Sequence, residues 1–579
     1  MFEGVDDILK ELSPEQQAAC TAPNNVLLTA CPGSGKTRTL THRLAYQVLQ
    51  KSDSRKIKIA ITYTNRAAEE IITRLEDMNI DLSSIWAGTI HQFCMRYIIR
   101  PYAMYSKRLC KGYQIIDDYC KKKYGHETAE RLGIRLRNFD DPFQYENIRT
   151  EYERLLKEKK EIDFDTILLL SEELLSSCPF ISSNIASVIS SILVDEFQDT
   201  NELQYLILSK IYKANKSITL MFVGDANQAI YGSLGGVAKT KQELETLYET
   251  AFDSMSLRGC YRSTQRLVDL YSRFEVSRTE AHSVAKYRDE LGEIHFWNSV
   301  YYTDLASKIA ELIKAEIGKG TKAEEICVIA PQWFMLFDLS GKLRLLLPDV
   351  PFDAPDISPI KYDPMNPLFL IAKLLFMPAG KNVRLRKRIA TECISIIRDD
   401  FRIMVSDDIQ SYDVLSAVNC CHHIDADGII CLSVAIQKVF ALLNICVSKE
   451  PSLSELKTSF FDEISSRVKK YSLATDFESI SKYFGGKNGV VISTLHGVKG
   501  EEYTTIIAVG LLNGYLPHWD YIIDQTKKQS RRNETCKLLY VLCSRAKKNL
   551  YLISECGRTT KNGSQYSSTD ELSLIADLV

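Results

Sequence analysis

Two short stretches decide the fold, Ala30-Cys31-Pro32-Gly33-Ser34-Gly35-Lys36-Thr37 and Leu193-Val194-Asp195-Glu196. The first follows the apolar run Val26–Leu28 and precedes a helix-forming sequence, which is the strand–loop–helix context of a phosphate-binding loop. Its glycines let backbone N–H groups surround phosphate oxygens, and its lysine adds a mobile positive charge. The second stretch is a buried strand that ends in two carboxylates. The alternative is a glycine turn that has no functional relation to the acidic pair. It is disfavoured because Lys36 and Thr37 occupy the lysine and threonine positions of a phosphate-binding loop.

The polar residues of the two stretches have complementary chemistry. Thr37 can place its hydroxyl on a magnesium ion that Asp195 holds from the end of the second strand. Glu196 is then placed to orient or deprotonate an attacking water molecule, while Lys36 neutralises phosphate charge. The pattern therefore predicts hydrolysis of a nucleoside triphosphate with Mg²⁺ as cofactor.

Length and composition indicate an ordinary globular protein. The chain has 579 residues, of which 45% are hydrophobic and 25% charged, so we expect several domains with their own cores. Its net charge of −2 gives no whole-molecule attraction to polyanions, and any such binding must come from local basic grooves. The 16 cysteines lack framework spacing, the N-terminus lacks signal-peptide blocks, and no apolar run has membrane-spanning length. We expect a cytoplasmic protein with no membrane partner.

Short apolar runs rich in β-formers recur along the chain, and each is followed by helix-forming sequence. They lie at Val26–Ala30, Ile57–Thr62, Ser191–Asp195, Ile218–Val223, Ile326–Ala330, Val490–Thr494, Thr505–Val509 and Leu550–Ile553. Alternating strands and helices predict an α/β fold of two parallel-sheet lobes. The long helical stretches at 101–184 and 366–479 are interpreted as insertions.

Further motifs resemble those of the UvrD/Rep/PcrA helicases of superfamily 1, in the order of that family. They are Thr62-Tyr63-Thr64-Asn65-Arg66-Ala67-Ala68, Thr89-Ile90-His91-Gln92-Phe93, Asp163-Phe164-Asp165, Val194-Asp195-Glu196-Phe197-Gln198-Asp199-Thr200, Gly224-Asp225-Ala226-Asn227-Gln228-Ala229-Ile230-Tyr231, Cys260-Tyr261-Arg262-Ser263, Thr494-Leu495-His496-Gly497-Val498-Lys499-Gly500-Glu501-Glu502-Tyr503 and Leu538-Leu539-Tyr540-Val541-Leu542-Cys543-Ser544-Arg545-Ala546. The resemblance implies two RecA-like lobes, 1A and 2A, with helical insertions 1B and 2B. The implied divisions are 1–100 and 185–250 for 1A, 101–184 for 1B, 251–365 and 480–579 for 2A, and 366–479 for a reduced 2B.

The resemblance also implies how ATP is held. The implied nucleotide contacts are Gln16, Ala30, Cys31, Pro32, Gly33, Ser34, Gly35, Lys36, Thr37, Arg38, Tyr261 and Glu502. Among them, Gln16 matches a residue that pairs with adenine, Arg38 and Tyr261 match positions that flank the base, and Glu502 matches one that reaches the ribose.

Catalytic residues are implied on both lobes. The set comprises Lys36, Asp195, Glu196, Gln228, Arg262 and Arg545, in which Gln228 matches a γ-phosphate sensor. The two arginines match residues that approach the γ-phosphate from the second lobe, where a planar guanidinium can meet phosphate oxygens with two hydrogen bonds. Hydrolysis would then require the cleft between the lobes to close.

A DNA strand is the implied second ligand. Its implied contacts are Thr62, Tyr63, Asn65, His91, Tyr231 and His496, with Tyr63 as a base-stacking aromatic. The basic cluster Lys381, Arg384, Arg386, Lys387 and Arg388 in the second insertion is either a solvated helix face or a phosphate-tracking surface.

The chain departs from the family after Tyr231. Ser233 stands where the family has a stacking aromatic, and Leu234 stands where it has an arginine that couples the two sites. The reduced 2B region is similar to that of helicase-like subunits in Gabija-type antiviral systems, which act with a separate nuclease. Two functions therefore stay open: a 3′-to-5′ translocase or helicase on single-stranded or tailed DNA, in repair or antiviral defence, and an ATP-gated DNA-end sensor that controls a nuclease supplied in trans.

Overall fold

The computed structural model describes residues 5–50, 55–116, 118–136, 141–231, 235–354, 358–363, 365–378, 383–401, 403–406, 408–471, 473–484, 489–517, 528–560 and 563–578. The strands are β1 (Val26–Ala30), β2 (Ile57–Thr62), β3 (Ile85–Thr89), β4 (Gln114–Ile115), β5 (Glu161–Ile162), β6 (Ile189–Asp195), β7 (Thr219–Gly224), β8 (Asp253–Leu257), β9 (Gly259–Cys260), β10 (His282–Ser283), β11 (Ile294–Trp297), β12 (Ile326–Ala330), β13 (Phe352–Asp353), β14 (Val490–Thr494), β15 (Tyr503–Ala508) and β16 (Ala546–Ile553).

The α-helices are α1 (Val5–Lys10), α2 (Pro14–Thr21), α3 (Lys36–Leu49), α4 (Asn65–Asp77), α5 (Ile90–Cys94), α6 (Arg100–Tyr102), α7 (Asp118–Arg131), α8 (Glu146–Lys159), α9 (Phe164–Ser177), α10 (Pro179–Ser187), α11 (Glu202–Ala214), α12 (Lys241–Tyr248), α13 (Gln265–Ser272), α14 (Leu305–Gly318), α15 (Trp333–Leu346), α16 (Pro367–Phe376), α17 (Val383–Asp399), α18 (Ser411–Asn419), α19 (Gly428–Leu442), α20 (Pro451–Tyr471), α21 (Phe477–Phe484) and α22 (Lys528–Cys543). Within the described residues, no helix is both long and apolar enough to span a bilayer.

The first lobe is built on a six-stranded sheet in the order β3-β2-β6-β7-β1-β8, in which neighbouring strands pair in parallel. Helices cover the sheet because each parallel strand must return through a crossover connection. The carboxyl ends of β1 and β6 lie on the same edge of the sheet, with β7 between them. That edge therefore carries both the glycine loop and the acidic pair.

The second lobe repeats this plan with the order β11-β16-β15-β12-β14-β13, and its neighbouring strands are also parallel. The predicted α/β fold of two RecA-like lobes is thus confirmed. The expected lobe boundary at 250/251 needs a correction, because β8 pairs with β1 at the edge of the first sheet. The second lobe consequently begins after Leu257.

Helical segments interrupt both lobes. Between β3 and β6 lie α5 to α10, with the short parallel pair β4 and β5 among them. Between β13 and β14 lie α16 to α21, which enclose an apolar core of their own that includes Phe376, Ile397 and Ile436. Where each insertion ends as a domain remains a prediction.

The two lobes share apolar packing at their junction. Cys31 and Ile230 of the first lobe belong to the same buried cluster as Leu267, Leu495 and Leu539 of the second lobe. Apolar contact therefore joins the lobes directly behind the predicted site.

Candidate nucleotide cleft and strand surface

The glycine loop after β1 lies directly against the second lobe. Gly33 and Gly35 have φ values of +70° and +82°, a left-handed conformation that glycine adopts without steric cost. A Cβ atom at Gly33 would lie 2.6 Å from the Cβ of Arg262. In addition, the backbone N–H of Tyr261 donates to the Gly33 carbonyl at 2.9 Å. Only glycine at position 33 permits this close approach between the lobes.

Lys36 and Glu196 meet at the mouth of the loop, with Nζ and Oε2 3.1 Å apart. Burial lowers the pKa of Lys36, but Glu196, Asp225 and Asp195 outweigh it and raise that pKa. Burial alone would raise the pKa of Glu196, yet the charges of Lys36 and Lys499 lower it. Both groups are therefore charged at neutral pH, as a phosphate-binding lysine and a water-activating carboxylate require.

The two residues predicted to hold Mg²⁺ are adjacent. The Thr37 hydroxyl donates to Asp195 Oδ2 at 3.1 Å. Burial and the neighbouring Glu196 raise the pKa of Asp195, so its carboxylate lacks sufficient positive charge around it. Oxygen donors of this kind suit a hard cation, and a divalent ion would supply the missing charge. The residues present thus fit the predicted metal.

Arg545 of the second lobe reaches into the same crevice. The residue is 1% exposed, and its guanidinium donates to Gln228 Oε1 of the first lobe at 2.9 Å. Gln228 in turn donates to Asp225 Oδ2 at 2.8 Å, at the end of β7. Burial lowers the pKa of Arg545 to about 9, and Arg262 adds to that effect, so the group stays cationic at neutral pH. The structure therefore brings Arg545 and Gln228 into contact.

Arg262 is held beside the loop by Glu502. Its Nε donates to Glu502 Oε2 at 2.7 Å, and its Nη1 donates to the Ser544 carbonyl at 2.9 Å. Burial would raise the pKa of Glu502, but Arg262 and Lys547 lower it to about 2. Glu502, predicted to reach a ribose, is thus an ion-pair partner of both cations in this structure.

A buried charge pair that the sequence analysis did not assign joins the lobes here. Lys499 Nζ donates to both carboxylate oxygens of Asp199, at 2.7 and 2.6 Å, and to the Gln228 carbonyl at 2.7 Å. Burial raises the pKa of Asp199 to about 6 and lowers that of Lys499. Both residues lie inside motifs quoted in the sequence analysis, and this position was the only feature of the sequence that could have indicated a functional role for them. Their residue types alone predict no particular role.

Two more polar contacts across the junction were also missed. Asn227 accepts from the backbone N–H groups of Val276 and Ser277, at 3.0 and 2.8 Å, and donates to the Ser277 carbonyl at 2.7 Å. The Tyr540 hydroxyl donates to Asp225 Oδ2 at 3.3 Å. Side chains of the Gly224–Tyr231 motif therefore contact the second lobe.

A cavity of about 360 Å³ opens beside the loop and includes Gln16, Ser34 and Tyr261 in its lining. Gln16 Nε2 donates to the Ser34 carbonyl at 2.9 Å, and its Oε1 accepts from the Ser13 backbone. Tyr261, 49% exposed, offers a ring face. Arg38 does not line this cavity; its guanidinium donates to Glu11. The structure thus brings together two of the three residues expected at the base, Gln16 and Tyr261.

The predicted strand contacts form two groups, of which the first is an aromatic stack over the cleft. The rings of Tyr63 and Tyr231 stack at 4.9 Å, and the ring of His496 lies 5.6 Å from that of Tyr231. Lys499 Nζ lies 4.8 Å from the centre of the Tyr231 ring. Tyr63 is 42% exposed and belongs to the first lobe, whereas His496 belongs to the second. A base stacked here would contact both lobes.

The second group lines a cavity of about 220 Å³ that includes Asn65, His91 and Tyr63. Burial lowers the pKa of His91 and of His496, so both imidazoles are neutral at neutral pH and can act as hydrogen-bonding groups. Thr62 is 3% exposed and donates its hydroxyl to the Thr64 carbonyl, which leaves it beneath the surface. The departures at Ser233 and Leu234 lie outside the described residues.

Comparison with known proteins identifies the class. A family model of the UvrD/REP helicase N-terminal domain matches residues 12–132 and 129–249, and one of the UvrD-like helicase C-terminal domain matches 432–556. The chain belongs to the UvrD/REP helicase family. It is 24% identical to the ATP-dependent DNA helicase PcrA of Bacillus subtilis (strain 168), over an alignment that covers 96% of this chain and 84% of that protein. The PcrA helicase of Staphylococcus epidermidis (strain ATCC 12228) is 23% identical, with 96% and 85% covered.

Proposed function

We propose that the protein is an ATP-dependent DNA helicase that hydrolyses ATP between its two lobes and moves 3′ to 5′ along single-stranded DNA. The enzyme class is that of its family, and the relatives it matches carry the name ATP-dependent DNA helicase. One observation supports the site most directly: Arg545 of the second lobe hydrogen-bonds Gln228 of the first, in the crevice that holds Lys36 and Glu196.

The residues of the crevice divide the chemical work. The positive charge of Lys36 would neutralise the transferred phosphoryl group. Arg262 and Arg545 would stabilise the negative charge that develops on it in the transition state. Glu196, ionised at neutral pH, would orient the attacking water once Lys36 turns to phosphate. Thr37 and Asp195 would hold Mg²⁺, which when bound neutralises phosphate charge. Because the arginines belong to the second lobe, hydrolysis depends on lobe position.

Movement along the strand would follow because Lys499 contacts both the nucleotide crevice and the strand surface. This lysine binds Asp199 and the Gln228 carbonyl inside the crevice and lies over the Tyr231 ring of the strand surface. A shift of the second lobe therefore acts on the nucleotide sensor and on the aromatic stack together. A residue that contacts both sites in this way can couple them.

The decisive experiment compares Lys36→Ala and Glu196→Gln with the unchanged protein. Each substitution is expected to abolish hydrolysis stimulated by single-stranded DNA while circular dichroism shows an intact fold. Lys213→Ala is the matched control, since its ammonium group pairs with Glu249 near the end of α11 that lies away from the acidic motif. Undiminished hydrolysis in Lys36→Ala or Glu196→Gln would refute the assignment. Duplexes with a single 3′ or 5′ tail then test direction.

A second candidate is an ATP-gated sensor of DNA ends that controls a nuclease supplied in trans, in antiviral defence. Ser233 and Leu234 stand where the family has a stacking aromatic and a coupling arginine. They favour this candidate because the first change weakens the hold on the strand and the second removes a polar link between the two sites, while the hydrolytic residues are unchanged. A strand-displacement assay separates the two functions. Efficient unwinding of a tailed duplex by this chain alone would exclude a purely sensory role.

A further inference from the structure

The basic cluster of the second insertion separates into residues with different surroundings. Arg386 is 2% exposed and donates to the carbonyls of Leu374 and Met377 and to Asn419 Oδ1, which closes the helical core. Arg384 is exposed, and Lys381 lies outside the described residues. The residues of this cluster therefore do not share one role. Whether a residue is solvated or binds phosphate has to be decided for each one separately.

Arg388 differs from its neighbours. It lines a cavity of about 150 Å³ between α17 and the first lobe, together with Asn65 and Arg96. Its Nη1 and Nη2 atoms are buried and have no hydrogen-bond partner among the described residues. Buried donors of this kind normally have acceptors, which indicates that an anion is missing.

Two acidic residues, Glu69 and Glu392, line this cavity. Glu69 pairs with Lys373 at 3.0 Å, and Asp400 pairs with Arg100 at 2.6 Å. Glu392, four residues after Arg388 on α17, lies in the lining near Arg100 and Arg96 but forms no hydrogen bond with the Arg388 Nη atoms. No acidic side chain of the described residues thus hydrogen-bonds to Arg388 Nη1 or Nη2, and the lining holds three arginines, Arg96, Arg100 and Arg388, against these two carboxylates.

This cavity adjoins the strand surface. Asn65 and Met365 line it and also line the cavity that contains Tyr63 and His91. Asn65 is the first residue of α4, a helix of 13 residues, and its Oδ1 is likewise buried without a partner. The positive end of that helix therefore points to the same side as the two arginines.

We infer that Arg388 binds a backbone phosphate of the strand that stacks on Tyr63, so that the second insertion forms part of the grip on DNA. This inference rests on the proposed function and adds Arg388 to the residues that contact the DNA strand. The chemistry recognised is a phosphate group, with two guanidinium nitrogens available for its oxygens. A phosphodiester of the bound strand and a free inorganic phosphate are the two sources that the experiment must separate.

The test measures the affinity for a fluorescently labelled oligothymidylate by anisotropy over a range of sodium chloride concentrations. Loss of one phosphate contact from a single strand lowers the salt slope by about 0.7. Arg388→Met is expected to show that change and to weaken binding about 10- to 100-fold at low salt, since a hydrogen-bonded charge is lost. Arg384→Met, four residues away on the same helix, is the matched control and is expected to bind as the unchanged protein does.

Each outcome bears on the inference. An unchanged slope in Arg388→Met would overturn it, as would an equal change in Arg384→Met. If Arg388→Met fails to fold, Arg388→Gln takes its place with the same expectation. A thermal stabilisation by inorganic phosphate that Arg388→Met abolishes, with an unchanged DNA slope, would assign the site to a free anion and overturn the strand assignment. Strand-stimulated hydrolysis that persists in Lys36→Ala would instead remove the proposed function.

Discussion

The buried pair between Asp199 and Lys499 gives the most demanding prediction, because it joins the two lobes inside the crevice. The side chains are only 1% and 9% exposed, and Lys499 contacts both carboxylate oxygens within 2.7 Å. The perturbations are Asp199→Asn, Lys499→Met and the double variant. Each single change leaves one buried group without its partner, whereas the double change removes both charges.

The expected magnitude follows from burial. Solvent screens this pair very little, so each single substitution should lower the free energy of unfolding by about 3–5 kcal/mol. The double variant should lose less than the sum of the singles, with a coupling energy of about 1–3 kcal/mol. The exposed pair between Arg66 and Glu501 joins the same lobes and is the control, since Arg66 is 70% exposed. Breaking that pair should cost about 1 kcal/mol or less.

The loss in free energy of unfolding caused by Lys499→Met should depend on pH. Burial already raises the pKa of Asp199 to about 6, above the unfolded value of about 3.9, and removal of Lys499 raises it further. A raised acidic pKa destabilises the fold as pH rises through it, because the folded state must then carry the buried charge. The deficit relative to the unchanged protein should therefore grow above about pH 6. In Asp199→Asn the buried Lys499 loses the carboxylate that raises its pKa, so the loss of stability in this variant should instead shrink as pH rises toward the ordinary lysine pKa.

Urea denaturation followed by intrinsic fluorescence measures all of these quantities. Parallel denaturation curves of the single and double variants give the coupling energy directly. Additive single effects, or equal losses in the Arg66 and Asp199 pairs, would refute the reasoning. A Lys499→Met deficit that shrinks with rising pH would refute the assignment of the buried charge to Asp199.

Three further predictions concern the sites. Tyr63→Ala should weaken oligonucleotide binding by about 1–3 kcal/mol, measured by anisotropy, because a base loses its stacking partner; a value near zero would place the strand elsewhere. Arg545→Ala should slow single-turnover ATP hydrolysis about 10³–10⁵-fold, with ATP binding measured separately to show that the loss is in the chemical step. Arg386→Met should destabilise the protein by about 3 kcal/mol or more, since it leaves buried carbonyls unpaired, but should leave the DNA salt slope unchanged.

Much of the fold could be predicted from the sequence because both sheets are parallel and buried, and such strands are continuous apolar runs. The strand β8 was missed because Asp253 to Ser256 are mostly polar and exposed at the sheet edge, where apolar patterning is weak. The nucleotide loop was predictable because local geometry, two glycines before a lysine, fixes its conformation.

The partners of charged groups were less predictable. The motifs placed Arg545 and Gln228 in one crevice, and the structure brings them together, but the pairing of Lys499 with Asp199 joins residues 300 positions apart. Spacing contains no information on such a pair. Arg386 and Arg388 show the same limit: two positions in one basic run differ in role because a helix turns about 200° between them.

The apolar cluster that contains Cys31, Ile230 and Leu495 has a consequence for the working cycle. Separating the lobes would hydrate this surface at a cost that scales with the area exposed, so contact between the halves is favoured before any nucleotide arrives. Any opening of the cleft that releases a nucleotide must therefore also expose apolar surface to water.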